Sequence, residues 1–381
     1  MNNSPILLTV LLFATLSCRK DPVIDPPEII KIPQQTTGFY LLNEGRMGRN
    51  DATLDYYDVQ TSEYRGNIFP KTNPGVVNRL GDVGNDLKIY GGKLYAVINC
   101  SNLVEVMNVS NAKHITQFKV DNCRYITFHE GKVYVSSYAG PRPVELDDKE
   151  LDNKRLGLVL EFDTVNFTEK RRVTVGRQPE EMAIVNGKLY VANSGGYTEN
   201  DYDRTVSVID LATFEEIKKI DVDINLHRLK ADNYGNIYVN SRGDHKGEGS
   251  KLYVIDTQTD KVKKRIDVSA SNFCIAGDTL YVYGYDINQS TGNTTISYHL
   301  VDVKTQTVLP GSFIADGTEA LIKTPYGIAV DPVSRDVYVT DAKSYTISGA
   351  LFCFDKYGKI KDRFPFDTGG NAPAHIAFVL K

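Results

Sequence analysis

The 381-residue sequence has no tryptophan and little net charge. The absence of Trp argues against repeat folds that are built on a recurring Trp, such as the WD type. With 44 Lys and Arg against 48 Asp and Glu, the formal net charge is −4. So small a charge gives no electrostatic basis for binding nucleic acid, and we expect no nucleic-acid partner.

Cysteine is scarce, and none of the five cysteines lies in a Cys-x-x-Cys pair. This spacing argues against a zinc or redox centre. Cys274 and Cys353 lie within apolar segments and are expected in the core. Cys100 and Cys123 are predicted at the same end of neighbouring repeats. They either form a disulfide, as an exported protein allows, or remain two buried thiols.

Long hydrophobic segments are also missing, because residues 6–16 are too few to span a bilayer. This segment ends in a small residue before Cys18, which resembles a bacterial lipoprotein signal. The resemblance implies a signal peptide at 1–17, acylated Cys18 and a proline-containing tether at 18–37. Membrane contact would then be through the lipid only. A plain secretory signal and a buried helix are the alternatives.

A tyrosine-containing strand signal recurs seven times along the rest of the chain. Its copies lie at 39–43, 94–99, 133–137, 189–193, 237–241, 280–284 and 337–341. Each copy is followed by an apolar segment that ends in Asp or Asn, at Asp58, Asn108, Asp163, Asp210, Asp256, Asp302 and Asp355. These ends are 46 to 55 residues apart. The period predicts an all-β, seven-bladed β-propeller with four-stranded antiparallel blades.

The first strand of the N-terminal blade has no counterpart before Tyr40. In the other blades it is found at 87–90, 126–128, 182–185, 229–231, 273–275 and 328–330. The chain ends in one more such segment, 375–380, with nothing after it. We therefore predict that the C-terminal strand completes the N-terminal blade. This closes a propeller of residues 38–381 and removes its open sheet edges.

The two faces of the predicted ring differ. Turns such as Asn186-Gly187 are short hairpins on one face. The other face carries the long connections 43–51, 138–156, 193–204, 241–250, 286–293 and 341–348. Long loops on a rigid scaffold are where binding residues usually lie, so we expect the ligand on this face.

Polar side chains ring the channel mouth on the long-loop face. Turn backbones need Asn and Ser in any propeller, but they do not need large charged or aromatic side chains at equivalent positions. The predicted ligand-binding residues are Asn43, Glu44, Asn85, Asp86, Asn99, Arg124, Tyr125, Tyr138, Glu180, Glu181, Asn193, His227, Arg228, Arg242, Asn272, Tyr326, Asp341 and His375.

No catalytic motif is present: there is no G-x-S-x-G, no H-E-x-x-H, no P-loop and no zinc-ligand spacing. Glu180 and Glu181 are adjacent in a predicted strand, so their side chains point in opposite directions. His227 and His375 are the best acid–base candidates. We expect no enzyme, no cofactor and no metal. The alternative is a calcium-dependent hydrolase or lyase that uses Glu44, Asp86, Asn193 and Asp341.

With Tyr-Val strands followed by Ile-Asp ends, as at 189–193 and 206–210, the chain resembles the YncE-like seven-bladed propellers. The segments 38–45, 81–86, 122–125 and 178–181, carried by a lipoprotein, are similar to the BtuG-like surface lipoproteins of gut bacteria. That resemblance implies capture of cobalamin (vitamin B12) at the cell surface and delivery to a TonB-dependent outer-membrane transporter. A glycan- or protein-binding surface propeller is the alternative.

Overall fold

The computed structural model describes residues 34–76, 79–140, 155–198, 201–288 and 291–381. Within them the chain forms seven four-stranded antiparallel sheets, which confirms the predicted propeller. The predicted signal and Cys18 lie outside the described residues. The first strand begins at Thr36, so the last two residues of the predicted tether belong to a blade.

Each blade runs from an innermost strand at the channel to an outermost strand, in the following order. Blade 1 contains β28 (Pro373–Leu380), β1 (Thr36–Asn43), β2 (Thr53–Asp58) and β3 (Glu63–Arg65). Blade 2 contains β4 (Gly84–Tyr90), β5 (Lys93–Ile98), β6 (Leu103–Asn108) and β7 (His114–Lys119). Blade 3 contains β8 (Cys123–His129), β9 (Lys132–Ser137), β10 (Leu156–Asp163) and β11 (Glu169–Arg177). Blade 4 contains β12 (Pro179–Val185), β13 (Lys188–Asn193), β14 (Thr205–Asp210) and β15 (Glu215–Asp221).

Blade 5 contains β16 (Leu226–Ala231), β17 (Asn236–Ser241), β18 (Lys251–Asp256) and β19 (Lys261–Ile266). Blade 6 contains β20 (Asn272–Ala276), β21 (Thr279–Asn288), β22 (Asn293–Asp302) and β23 (Thr307–Leu309). Blade 7 contains β24 (Pro325–Val330), β25 (Val337–Asp341), β26 (Ser348–Phe354) and β27 (Phe366–Asn371). The described part also has a helix α1 (Ile68–Thr72) and a 3₁₀ helix (Thr318–Leu321), and none of its helices is long and apolar enough to cross a membrane.

The repeated Asp or Asn closes the turn after the third strand of each blade. Asp210 Oδ1, for example, accepts the backbone N–H groups of Ala212 and Thr213, both at 2.9 Å. Asp163 and Asp256 accept the equivalent pairs in their own blades. A side chain that bonds to the backbone two residues on is the usual reason for Asp and Asn in turns.

In blades 1, 4 and 5 the repeated second-strand tyrosine forms a hydrogen bond to the next blade. Tyr40 Oη donates to the carbonyl oxygen of Val109 at 2.8 Å. Tyr190 Oη donates to Asp260 Oδ1 at 2.6 Å, and Tyr238 Oη donates to the carbonyl oxygen of Val303 at 3.1 Å. Each acceptor lies in the following blade, at the turn between its third and fourth strands. These tyrosine hydrogen bonds help to hold neighbouring blades together.

The core lies between blades. Buried apolar residues of the described part form seven clusters, one at each blade-to-blade interface. Alternate residues of one strand serve the two neighbours: Tyr40 and Leu42 pack toward blade 2, whereas Phe39 and Leu41 pack toward blade 7. This is the period of two that a strand with two buried faces requires.

The C-terminal strand closes the ring as predicted. β28 pairs with β1, with Phe39 opposite Phe378 and Leu41 opposite Ile376. Beyond the strands, the backbones of Gln35 and Lys381 exchange two hydrogen bonds of 2.8 and 2.9 Å. The C-terminal strand thus pairs with the inner edge of β1 and completes the four strands of blade 1.

Most innermost strands are irregular at the end that faces the long loops. Six of the seven have a register shift there, for example between Leu226 and Leu229 in β16. Such bulges redirect side chains and are common near functional sites. They decide which residues enter the channel mouth.

Candidate functional site

A cavity of about 690 Å³ opens at the long-loop end of the channel. Blades 1, 2, 3, 5, 6 and 7 contribute to its wall. Half of the predicted ligand-binding residues line it, namely Glu44, Asn85, Arg124, Tyr125, His227, Arg228, Arg242, Asn272 and Tyr326. Residues just before the predicted innermost strands therefore meet around one cavity, as the repeat alignment predicts.

Tyr125 forms the floor of this cavity and reaches across the channel. It extends from blade 3, and Arg228 Nη1 of blade 5 donates to its hydroxyl at 2.9 Å. The same hydroxyl lies 2.9 Å from His227 Nε2. Its ring also packs edge-on against His375 of blade 1, with centroids 6.4 Å apart. Because arginine only donates, the hydroxyl accepts from Arg228. The direction of its hydrogen bond with His227 is set by the tautomer of that ring.

The two histidines of the channel are neutral at pH 7. Burial, together with nearby Arg242 and Arg228, holds the pKa of His227 well below 6.5. Burial, Arg228 and Lys88 do the same for the pKa of His375. His375 has Asp86 Oδ1 at 3.6 Å and Glu44 Oε1 at 3.8 Å, but these contacts do not outweigh desolvation and the surrounding cations.

A charged cluster beside the floor joins blades 2, 3 and 4. Arg124 donates from Nε and Nη2 to Glu180 Oε2, at 3.1 and 3.0 Å, and from Nη1 to Asn85. Tyr138 Oη donates to Glu180 Oε1 at 2.6 Å. Burial raises the pKa of Glu180, but Arg124 and Arg242 outweigh it and hold the pKa below its usual value. Glu180 is thus an anchored carboxylate.

The opposite wall carries Glu44 and Tyr326. The hydroxyl of Tyr326 donates to Glu44 Oε2 at 2.6 Å, and the Tyr326 ring packs edge-on against Tyr345. Burial raises the pKa of Glu44 despite this hydrogen bond. This wall therefore presents an acceptor and two tyrosine rings to the cavity.

Glu181 points away from Glu180, as expected for neighbours in a strand. Its Oε2 accepts the backbone N–H of Leu229 at 3.1 Å, and its Oε1 pairs with Lys230. Lys88 lies 3.8 Å from the same Oε1 atom and 3.6 Å from Asp86 Oδ1. These four charges lie below Tyr125. Lys88, Glu181 and Lys230 also line a second cavity of about 470 Å³, which opens at the short-turn end.

Five predicted site residues serve the blades instead of the cavity. Asn43 and Asn193 are fully buried and donate to Thr and Asp or Ser side chains of their own blades. Asn99 donates to Cys123 O at 2.7 Å, which fastens blade 2 to blade 3. Asp341 accepts three backbone N–H groups of its own loop region. Asp86 accepts the N–H of Ile126 across the blade boundary at 3.1 Å.

The proposed calcium ligands do not converge. Asn193 and Asp341 are engaged as described, and Glu44 is bonded to Tyr326. No three His, Cys, Asp or Glu side chains of the described residues are grouped so as to hold a metal ion. A calcium site needs several oxygens directed at one point, so this set does not form one.

Cys100 and Cys123 are thiols in the structure, and the candidate disulfide is not formed. Cys123 is fully buried, and its Sγ lies 3.5 Å from the carbonyl oxygens of Ile98 and Leu103. Cys100 Sγ donates to Asn99 Oδ1 at 3.4 Å. Burial raises the pKa of the Cys123 thiol to about 12, so it stays protonated at neutral pH.

Several lining residues are missing from the predicted set. Residues 286–288 and 293 of the segment predicted as a loop are strand: Asp286 pairs with Thr295, and Asn288 with Asn293. This long hairpin forms a wall of the cavity. The other unpredicted lining residues include Met47, Tyr283, Tyr285, Tyr345 and the segment 245–249. The aromatic residues could have been found from their repeat positions, since Tyr285 directly follows a second strand signal.

The family described as "Domain of unknown function (DUF5074)" matches residues 37–379. The chain belongs to this family. The DUF5074 match covers every described blade. No match was found among the curated proteins.

Solved structures resemble this DUF5074 chain at low sequence identity. A quinonprotein alcohol dehydrogenase-like protein from Bacteroides thetaiotaomicron is 16% identical, with a TM-score of 0.56, over 90% of this chain and 78% of the other. A protein from Bacteroides fragilis named after 6-phosphogluconolactonase is 12% identical, with a TM-score of 0.60, over 90% of this chain and 98% of the other. Hydrazine synthase of Kuenenia stuttgartiensis is 14% identical, with a TM-score of 0.55, over 72% and 76%. These likenesses establish the fold alone.

Proposed function

We propose that this protein is a non-catalytic binding protein that captures cobalamin in the long-loop cavity. The observation that carries the proposal is the composition of that cavity. Its wall combines arginine and tyrosine donors, amide groups, a carboxylate acceptor and aromatic rings on a rigid closed ring. Its volume of about 690 Å³ lies within the range of small-molecule sites.

Cobalamin fits this chemistry because it is a large, flat molecule surrounded by amide side chains, with one phosphate. Asn85 and Asn272 supply amides, and Tyr326 and Tyr345 supply ring faces. The ligand is larger than the cavity, so part of it would rest on the rim. Met47, Ile287 and Tyr345 line the cavity and are more than two-fifths exposed, which gives the rim apolar contacts.

The proposal includes the route of delivery. The lipoprotein-like N-terminus, with acylation at Cys18, would hold the protein on the outer membrane at the cell surface. From there it would hand cobalamin to a TonB-dependent transporter. The resemblance of the segments 38–45 and 81–86 to BtuG-like lipoproteins supports this step.

The test is calorimetric titration of residues 19–381 with cyanocobalamin. We expect saturable binding, and we expect Tyr326→Ala to weaken it at least tenfold, because this change removes both a ring and the partner of Glu44. Arg172→Gln on the outermost strand of blade 3 is the matched surface control and should bind like the wild type. No heat at micromolar concentrations of ligand would exclude cobalamin.

A glycan is the second candidate. Tyrosine rings next to carboxylate and amide groups also suit sugars, whose apolar faces stack on aromatic side chains. Tyr125, Tyr283, Tyr326 and Tyr345 all line the cavity. Binding on a glycan array that Tyr326→Ala abolishes, without any response to cyanocobalamin, would favour this candidate over the first.

A further inference from the structure

Arg228 differs from the other arginines of the cavity because it has no carboxylate partner. Arg124 lies 3.0 Å from Glu180, and Arg242 lies 3.7 Å from it. In the described part of the chain, no carboxylate oxygen lies within the 4 Å ion-pair distance of the Arg228 guanidinium. The residue is nevertheless only 8% exposed. A buried cation without a counterion is unfavourable unless something else supplies the negative charge.

The donors of Arg228 are largely unused. Of its guanidinium N–H groups, Nη1 donates to Tyr125 Oη, and the plane lies 5.2 Å from the centroid of the same ring. Nε is buried and has no acceptor among the described residues. A guanidinium carries five donors in a fork that matches two oxygens of a phosphate or carboxylate. Arg228 can therefore bind a phosphate or carboxylate at the cavity floor.

His227 adds a second unused donor. Consecutive residues of a strand normally face opposite sides, but the register shift between Leu226 and Leu229 lets His227 and Arg228 both reach Tyr125 Oη. Both residues line the cavity. His227 Nδ1 is buried without an acceptor in the described residues. In the tautomer whose Nε2 accepts from Tyr125, the ring proton lies on Nδ1, which is then a donor without an acceptor.

The nearby carboxylates do not fill this position. Glu181 and Asp86 lie below Tyr125 and are held by Lys230, Lys88 and backbone N–H groups. Glu44 lies on the opposite wall and is bonded to Tyr326. The other acids of the cavity lining are also engaged: Asp286 accepts from Ser250 N and Ser269 Oγ, and Glu248 pairs with Lys251. The carboxylates that line the cavity are therefore already held by other residues.

We infer that the cavity floor is an anion-binding position at which Arg228, assisted by His227, binds a phosphate or carboxylate group of the ligand. The inference rests on the proposed function in that it concerns the same cavity and its ligand. For a corrinoid, the group bound there is the phosphodiester of the nucleotide loop. Planar guanidinium recognition makes lysine an imperfect substitute.

The first experiment uses inorganic phosphate and pyrophosphate as probes, at pH 7.5 and constant ionic strength. Wild-type protein should bind pyrophosphate in calorimetry, and Arg228→Gln should weaken this binding at least tenfold. Arg228→Lys, which keeps the charge, should lie between them. Arg172→Gln changes an exposed arginine of blade 3 and should leave the affinity unchanged. Circular dichroism and thermal melting establish that each variant is folded.

The second experiment needs only corrinoids. Cobinamide lacks the nucleotide loop and its phosphate, so it should bind wild-type protein more weakly than cyanocobalamin does. Arg228→Gln should reduce the affinity for cyanocobalamin toward that for cobinamide and should leave the affinity for cobinamide within twofold. Equal losses for both corrinoids would show that Arg228 does not contact the phosphate and would overturn the inference. If the variant does not fold, the wild-type ratio of the two affinities decides, and a ratio near one overturns the inference.

The outcomes separate this inference from the proposed function. Pyrophosphate binding that depends on Arg228, without cobalamin binding, supports the anion position and rejects cobalamin. Cobalamin binding that is unchanged in Arg228→Gln supports the proposed function and overturns the anion position. Binding of neither pyrophosphate nor cyanocobalamin overturns both.

Discussion

Arg124 is the residue at which three blades meet beside the cavity. It extends from blade 3 to Asn85 of blade 2 and Glu180 of blade 4. Arg124→Gln would leave Glu180, whose side chain is 1% exposed, without its main counterion. Removing one member of a buried pair costs about 3–5 kcal/mol. We expect a loss near the lower limit, about 3 kcal/mol, because Arg242 and Tyr138 remain; urea unfolding measures it.

The matched controls are a surface pair and a double variant. Arg172→Gln breaks the exposed contact with Glu169 and should cost less than about 1 kcal/mol. Arg124→Gln combined with Glu180→Gln removes both charges and should recover part of the stability. If the double variant is no more stable than Arg124→Gln alone, the uncompensated charge is not the cause.

His375 should make the protein sensitive to mild acid. Its side chain is 10% exposed, and burial with Arg228 holds its pKa well below 6.5. Below pH 6.5 the unfolded chain binds a proton here that the folded chain does not, so stability falls as pH falls. The limit is about 1.4 kcal/mol per pH unit for one group. Chemical unfolding at pH 7.5 and 5.5 should show a smaller loss in His375→Gln than in wild type, by about 1 kcal/mol.

Other groups also titrate between pH 7.5 and 5.5, and they are present in both wild type and His375→Gln. Burial raises the pKa of Asp55 to about 6, which adds stability as pH falls toward 4, opposite in sign to His375. This contribution cancels in the comparison. His129 is 40% exposed, and His129→Gln is the control for the same substitution at an exposed histidine. Equal losses in wild type and His375→Gln would contradict the prediction.

The roles of single residues were the hardest feature to predict from the sequence. Repeat alignment correctly placed Tyr125, Arg228 and Tyr326 at the cavity, because they directly precede the predicted innermost strands. In the structure those strands begin earlier and include them. The alignment could not separate Asn193 from these residues, since the direction of a side chain depends on the register shift and on which hydroxyls lie in the neighbouring strand. Likewise, Glu180 and Glu181 are alike in sequence and belong to different charge clusters only through packing.

At the scale of elements, two of the third strands, β10 and β26, touch the next blade through glycine. A Cβ on Gly157 of β10 would lie 2.1 Å from Pro179 Cδ of β12, and Gly349 of β26 meets Pro373 of β28 in the same way. Gly157→Ala should therefore force the strands apart and cost about 1–3 kcal/mol in urea unfolding. Gly75→Ala, where nothing lies within 4 Å, is the control and should change stability little. A neutral Gly157→Ala would show that the two blades can separate freely there.

The long hairpin of blade 6 gives the cavity a wall that other blades lack. Ile287 lies near its tip and is 42% exposed. Ile287→Ser should weaken cyanocobalamin binding about three- to tenfold, because apolar rim contact is lost, and should leave the melting temperature within 1–2 °C, since exposed substitutions rarely change stability. The exposed Val165, far from the cavity lining, provides the matched control Val165→Ser. Unchanged affinity in Ile287→Ser would place the ligand away from this wall.

Elements were predictable where a turn residue marks their end and not where a strand simply continues. Asn186-Gly187 has positive φ at both residues, 51° and 74°, and the predicted hairpin is confirmed. The extension of β21 and β22 was missed because the sequence of 286–293 is mostly polar and resembles a loop. Residues 286–288 are strand because they pair with residues 293–295 across the hairpin.

For the whole molecule, the ring was the most predictable feature because each blade repeats the same strand and turn signals. Seven copies of the tyrosine-containing strand and of the Asp or Asn turn recur in the same order, and a missing first strand at one end matches an extra one at the other. The cavity was not predictable at this scale. Its shape depends on connections that differ among the blades, which repetition cannot inform.

Ring closure should slow unfolding, and a circular permutant tests this. Gln35 and Lys381 exchange two hydrogen bonds, so a short linker can join residue 381 to residue 35 with a new start at residue 373. The permuted chain keeps every strand pair. The four strands of blade 1 then follow one another in the chain, so the covalent connection from blade 7 to blade 1 is lost. We expect the same fold and ligand affinity but unfolding at least tenfold faster in stopped-flow denaturation, because blades 1 and 7 can separate without breaking the β28–β1 pairing. The same linker inserted into a long loop is the control. An unfolding rate equal to that of wild type would mean that the packing of Phe39 against Tyr338, with ring centroids 4.9 Å apart, holds blades 1 and 7 together without the closing strand.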